Sequence, residues 1–133
     1  MAMSNDVVSG QCLCGRLAIR VSGSPRFSVI CFCQDCQRIS GGGHLPQAAF
    51  AKEQVELSGA TKVFNWHSDA GNDLSLIFCP SCGSSIYKTT SKMPEMVFLA
   101  IGLLDDQSLF EAPHHAFIDS CQHWDRMRNL PSV

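Results

Sequence analysis

Long hydrophobic runs are absent from this sequence. The longest, Met96 to Leu104, is nine residues and includes Gly102, far short of the ~20 residues a membrane helix needs. The opening residues, Met-Ala-Met-Ser-Asn-Asp-Val-Val, hold neither a basic stretch nor an apolar one, so no secretory signal is expected. Charge of either sign is sparse and never runs in blocks: 10 basic and 12 acidic side chains leave a net charge of −2. That balance argues against non-specific nucleic-acid binding and against a polybasic membrane anchor. No 20–50-residue repeat, low-complexity tract or long amphipathic helix is present. The expectation is a single domain spanning residues 1–133, soluble and cytoplasmic, with 45% apolar residues to build its core.

What the chain does have is clustered cysteine. Seven of its eight cysteines fall into three groups: Cys12-Leu-Cys14, Cys31-Phe-Cys33-Gln-Asp-Cys36 and Cys79-Pro-Ser-Cys82. Thiolates one and two residues apart on short turns have zinc-ligand spacing. A reducing compartment favours metal over disulfide for such groups, and cysteines one residue apart would form only a strained disulfide. The first and third groups are both pairs, with 64 residues between Cys14 and Cys79. Two such knuckles make a closed four-thiolate site, Cys12, Cys14, Cys79 and Cys82, which clips an N-terminal strand to a later hairpin. Cys31, Cys33 and Cys36 then stand apart. Three protein ligands with one open position is the form of a zinc that does chemistry. A thiol entering that position would give up its proton and sit as a thiolate.

Gly and Pro punctuate the chain about every ten residues, which suits short strands. Strands are expected at Arg16–Val21, Phe27–Ile30, Gln47–Phe50, Val55–Leu57, Lys62–His67, Leu74–Phe78, Ser85–Thr89, Met96–Ile101 and Ala116–Ile118, with Met96–Ile101 central. Cys33–Ser40 reads as a short helical turn stopped by Gly41-Gly42-Gly43, and Asp125–Asn129 as another. A strand into the Cys79-Pro-Ser-Cys82 turn and a strand out resemble a zinc ribbon. The class is mostly β with small helical pieces.

Several residues carry two readings. His44, eight positions after Cys36, is the nearest candidate to close the middle group as a second structural site; His67, His114, His115 and His123 are weaker, and His114-His115 reads better as a turn and strand entry. The trio could instead act as redox thiols, with a Cys33–Cys36 disulfide. Cys121 reads as a small buried hydrophobe or a catalytic or resolving thiol, and Trp124 as a core or rim anchor rather than a substrate platform. The three glycines either end the helix or line a mouth beside the metal, and Arg38 either is solvated or steers an anionic thiol.

The pattern Gly10-Gln-Cys12-Leu-Cys14-Gly15, Cys31-Phe-Cys33-Gln-Asp-Cys36-Gln-Arg-Ile-Ser-Gly41 and Phe78-Cys79-Pro-Ser-Cys82-Gly83 resembles the glutathione-dependent formaldehyde-activating enzyme family, to which centromere protein V belongs. Gly102-Leu-Leu-Asp105-Asp106 and the Trp124…Leu130-Pro131 ending are also similar to it, so the resemblance covers nearly the whole chain. It implies a β-tent (Mss4-like) fold, a structural zinc on Cys12, Cys14, Cys79 and Cys82, and a catalytic zinc on Cys31, Cys33 and Cys36, the latter open enough to be lost on purification. The implied reaction is that of a carbon–sulfur lyase: glutathione, or a similar small thiol, and formaldehyde, or a small aldehyde, combine to an S-hydroxymethyl adduct. Many members carry His where Phe32 stands and a basic residue where Leu76-Ile77 stand; both positions bear on the substrate mouth and neither is a metal ligand.

Two other functions fit the same architecture. One is a non-catalytic zinc-binding module, related in fold to accessory proteins of small GTPases. The other is a thiol redox enzyme like the B-type methionine sulfoxide reductases, although the Arg-x-Cys-x-Asn element of those enzymes is missing around Cys121.

Overall fold

The computed structural model describes residues 6–125. Ten strands and one α-helix lie among them: β1 (Val7–Gln11), β2 (Ala18–Ser22), β3 (Phe27–Cys31), α1 (Gln34–Ser40), β4 (Leu45–Ala51), β5 (Val55–Ser58), β6 (Lys62–His67), β7 (Asp73–Phe78), β8 (Ser85–Thr90), β9 (Met96–Ala100) and β10 (His114–Ala116). They form a three-stranded sheet, β1-β2-β5, and a seven-stranded sheet, β10-β3-β4-β9-β8-β7-β6. All pairings are antiparallel except β10 with β3. This is the mostly β, β-tent architecture expected, with β9 at the centre of the large sheet.

Alternation builds the core. Ile19 and Val21 of β2 point inward while Ala18, Arg20 and Ser22 face solvent, the period-2 pattern of a half-buried strand. Facing them are Ala48 and Phe50 of β4, Val97 and Leu99 of β9, and Ile77 and Ile86 of the neighbouring strands. Leu17 and Phe50 are wholly buried, each worth about 2–3 kcal/mol by apolar transfer. Gln54 joins the sheets: its amide accepts from the Ala51 N–H at 2.9 Å and donates to the Ser22 and Ser24 carbonyls at 2.9 Å each.

On β4 the other face, Leu45 and Gln47, is buried too. α1 covers that side, and a second, smaller apolar cluster forms there from Cys31, Cys36 and Leu45, with Cys33, Ile39 and Ala116 packed against it. The middle cysteines thus sit on the face of the large sheet opposite the main core.

Several boundaries differ from expectation. β1 is a strand that its sequence does not announce, since Val7-Val-Ser-Gly-Gln11 holds only two large apolar side chains; pairing with β2 and a bridge from Gly10 to Leu104 hold it. β2 starts at Ala18 because the chain before it turns, with Cys12 N–H bonded to the Leu17 carbonyl and Gly15 N–H to that of Cys12. The last strand is His114–Ala116, not Ala116–Ile118. Phe117 adopts φ 58, a left-handed conformation that ends an extended run. The helical turn expected at Asp125–Asn129 lies, beyond Asp125, outside the described residues.

Candidate metal centres

The first and third cysteine groups meet. Cys12 and Cys14 sit on the turn between β1 and β2, Cys79 and Cys82 on the turn between β7 and β8, and their four sulfurs all lie within 4.8 Å of one another. Cys12 Sγ is 3.6 Å from Cys14 Sγ, which is 3.8 Å from Cys79 Sγ. A tetrahedron with ~2.3 Å metal–sulfur arms has edges of about 3.8 Å, so the quartet has the dimensions of a closed four-thiolate site. Backbone bonds shape it: Cys79 N–H to the Ser84 carbonyl and Gly83 N–H to that of Cys79. Across the gap, Leu13 N–H donates to Ser84 Oγ at 3.1 Å. The Ser84 hydroxyl and amide bring the Cys82 thiol down to about 5, favouring the thiolate a metal requires.

Cys31, Cys33 and Cys36 form the second group, their sulfurs again within 4.8 Å of one another. Cys31 ends β3, and Cys33 is the N-cap of α1, its Sγ accepting the Cys36 N–H at 3.4 Å. Gly41, at φ 74, closes the helix by donating its N–H to the Gln37 carbonyl, a conformation glycine takes at little steric cost. The glycines are thus at least a helix stop. Hydrogen bonds from the Cys31 and then the Cys36 thiol bring Cys33 down to about 2. The hydrogen bond with Cys33 pushes Cys31 up, and Cys36 is pushed up by Cys31, by Cys33 and by burial. Three sulfurs this close cannot all ionise unaided. A bound cation resolves that repulsion, and the donor set fits a thiophilic metal.

None of the histidines joins either sulfur group among the described residues. His44 Nδ1 is 2.6 Å from Asp125 Oδ2, and its ring lies 5.3 Å from that of Phe32. His115 meets Phe32 edge-on, and His114 meets Phe27. Phe32 points away from the trio, since side chains alternate along an extended segment. His67 pairs with Asp73 at 2.7 Å on an exposed hairpin end, and His123 is exposed. Cys121 is half-buried, its Sγ donating to the Asp125 carbonyl at 2.9 Å. Trp124 is 59% exposed and so is not a core anchor. Arg38 lies on the exposed side of α1.

Gly43 is where the His44–Asp125 pair meets the backbone. A Cβ there would overlap the Asp125 carboxyl group. Gly43→Ala is therefore expected to displace Asp125 and lower stability by about 1–3 kcal/mol, read from the denaturant midpoint, with metal content unchanged.

Two further residues reach the trio from distant strands. Lys88 of β8 places Nζ 3.2 Å from Cys36 Sγ, and Gln47 of β4 places Nε2 3.9 Å from the same sulfur. Gln47 is 2% exposed, and its Oε1 is buried without a hydrogen-bond partner, a state that costs about 1–3 kcal/mol unless something fills it. Both side chains line a shallow recess with Ile39, Leu45, Leu76 and Phe98. The register puts Lys88 opposite Leu76 on one side and Phe98 on the other. At the far edge of the sheet, Trp66 donates its indole N–H to Asp35 of α1 at 3.1 Å and stacks on Phe64. Spacing did not point to Lys88 or Gln47, because sheet register, not local sequence, brings them to the sulfurs.

A family model described as glutathione-dependent formaldehyde-activating enzyme matches residues 7–120. No curated protein shows significant similarity to the sequence. Among solved structures, the chain is similar to a crystal structure of a Rhodobacter sphaeroides protein, a structural genomics target, at 20% identity. The alignment covers 80% of this chain and 98% of that one with a TM-score of 0.60, a likeness of fold. Among the described residues no helix is long and apolar enough to cross a membrane.

Proposed function

We infer the activity from one premise: the chain belongs to the glutathione-dependent formaldehyde-activating enzyme family. It is a zinc-dependent carbon–sulfur lyase that joins a small thiol, glutathione or a relative, to formaldehyde or another small aldehyde. The observation that carries this reading is the division of the clustered sulfurs into a quartet of tetrahedral dimensions and a separate trio beside a recess.

Cys12, Cys14, Cys79 and Cys82 would hold one zinc, tying the β1–β2 turn to the β7–β8 turn. Cys31, Cys33 and Cys36 would hold the other. When bound there, zinc supplies a Lewis-acid position at which a thiol is ionised near neutral pH. The protein does the rest. β3 and α1 fix the three sulfurs from a strand end and a helix N-cap. Leu45, Ile39, Leu76 and Phe98 give the recess apolar walls, which limit water around the reacting carbon. Joining the two reactants at one place converts a bimolecular reaction into an effectively unimolecular one.

Glutathione and formaldehyde combine spontaneously, so the test is a rate. NMR exchange spectroscopy on a mixture of the two should show faster interconversion of free and adduct forms with protein than without it. Purified protein should contain two zinc ions per chain. No acceleration with any of several small thiols would reject the lyase and leave a zinc-binding module without this activity.

A further inference from the structure

We propose that Lys88 is the oxyanion-stabilising residue of this site, and that Gln47 receives the hydroxyl of the finished adduct. This rests on the lyase reading above and specifies its reaction centre. Lys88 Nζ lies 3.2 Å from Cys36 Sγ. Among the described residues no carboxylate pairs with it, so its charge is directed at the sulfur cluster. It is held there by its place in β8, between β7 and β9, rather than by a mobile loop. Gln47 supplies the second, independent observation: a side chain 2% exposed whose Oε1 has no partner and whose recess is shared with Lys88. A buried acceptor without a donor marks the place where a ligand hydroxyl or N–H fits.

The chemistry needs both groups. A lone pair of the thiolate sulfur forms the new S–C bond as the C=O π pair moves onto oxygen, giving a hemithioacetal alkoxide. A proton from water then makes the hydroxyl, and the hydroxide left is neutralised by the proton the thiol lost on ionising. The Lys88 ammonium lowers the energy of the alkoxide as a positive charge placed beside it. The hydroxyl so formed can donate to Gln47 Oε1. The oxygen that gains charge is two bonds from the substrate sulfur, so a cation at the sulfur cluster is close to it. The carboxylates of glutathione lie several bonds further along the molecule, which makes Lys88 a poorer anchor for them.

The test compares wild type, Lys88→Met and Lys88→Arg by NMR exchange, with formaldehyde and either glutathione or the uncharged thiol 2-mercaptoethanol. Zinc content, zinc retention against a chelator and melting temperature are measured on each. Lys88→Met is expected to lower kcat by about 10²-fold for both thiols, with KM changed less than about threefold. Zinc content and melting should stay at wild-type levels, and Lys88→Arg should restore most of the rate. Gln47→Leu should leave zinc in place and weaken adduct binding. Wild-type kcat in Lys88→Met overturns the proposal. So does a loss confined to KM for glutathione, which would make Lys88 a carboxylate anchor, and so does loss of zinc, which would make it a counter-ion to the thiolates. A wild-type protein without acceleration would instead overturn the lyase reading beneath it.

Discussion

Cys79→Ser is expected to leave a chain that melts at least ~15 °C below wild type, with no cooperative transition in the wild-type range. Cys79 is 1% exposed and, with Cys12, belongs to the main core cluster. Its sulfur lies 3.8 Å from that of Cys14, 65 positions away in the chain. A cross-link closing a loop of that length stabilises by about 4 kcal/mol through the unfolded state alone. Zinc binding by small finger peptides supplies about 10–16 kcal/mol at pH 7, as much as the whole folding free energy of an ordinary domain, about 5–15 kcal/mol. A serine hydroxyl is a poor replacement for a soft thiolate and puts an unpaired polar group into an apolar cluster. A net loss of about 5 kcal/mol is the modest end of these figures, and for this chain length it corresponds to roughly 15–25 °C. The measurement is a far-ultraviolet melt with and without a strong chelator. Wild type in chelator should melt as low as the variant or a few degrees lower, and chelator should shift the variant by no more than a few degrees. A variant melting at the wild-type temperature would remove the structural role of the quartet.

The cysteine groups that the fold brings together could be read from the sequence because each is local: a knuckle is a turn, and its spacing is written in a few residues. The same holds for Lys62–His67, whose expected bounds match β6, and for the short helix, whose glycine stop is adjacent to it. What could not be read depends on register. Lys88 is 52 positions from Cys36 and reaches it only because β8 pairs with β9 and β9 with β4. Gln47, in an otherwise apolar strand, reads as an ordinary sheet residue until both faces of β4 prove to be covered. His44 was the nearest histidine in sequence, yet its place in the loop just before β4 sets it beside Phe32 and Asp125 instead. β1 is legible only through its partners, a case in which tertiary contacts outweigh local propensity.

Cys33→Ser should separate reaction from folding. It is expected to reduce exchange between thiol and adduct to the spontaneous rate, and zinc from two ions per chain to one, while the melting temperature falls by no more than a few degrees. The serine is chosen for its second property. Cys33 caps α1, its side chain accepting the Cys36 amide, and serine is among the best residues at an N-cap. The helix that carries Cys36 therefore keeps its start, and the loss falls on metal binding. Cys33 is also half-buried and only packs against the smaller apolar cluster, outside the main core. Removing it takes away the sulfur that lies within reach of both others, and two remaining thiols are too few protein ligands for the open site. Exchange spectroscopy, metal analysis and a melt on one preparation decide the matter. A collapse in melting temperature equal to that of Cys79→Ser would make the second zinc structural, and full activity in Cys33→Ser would place the reaction away from the trio.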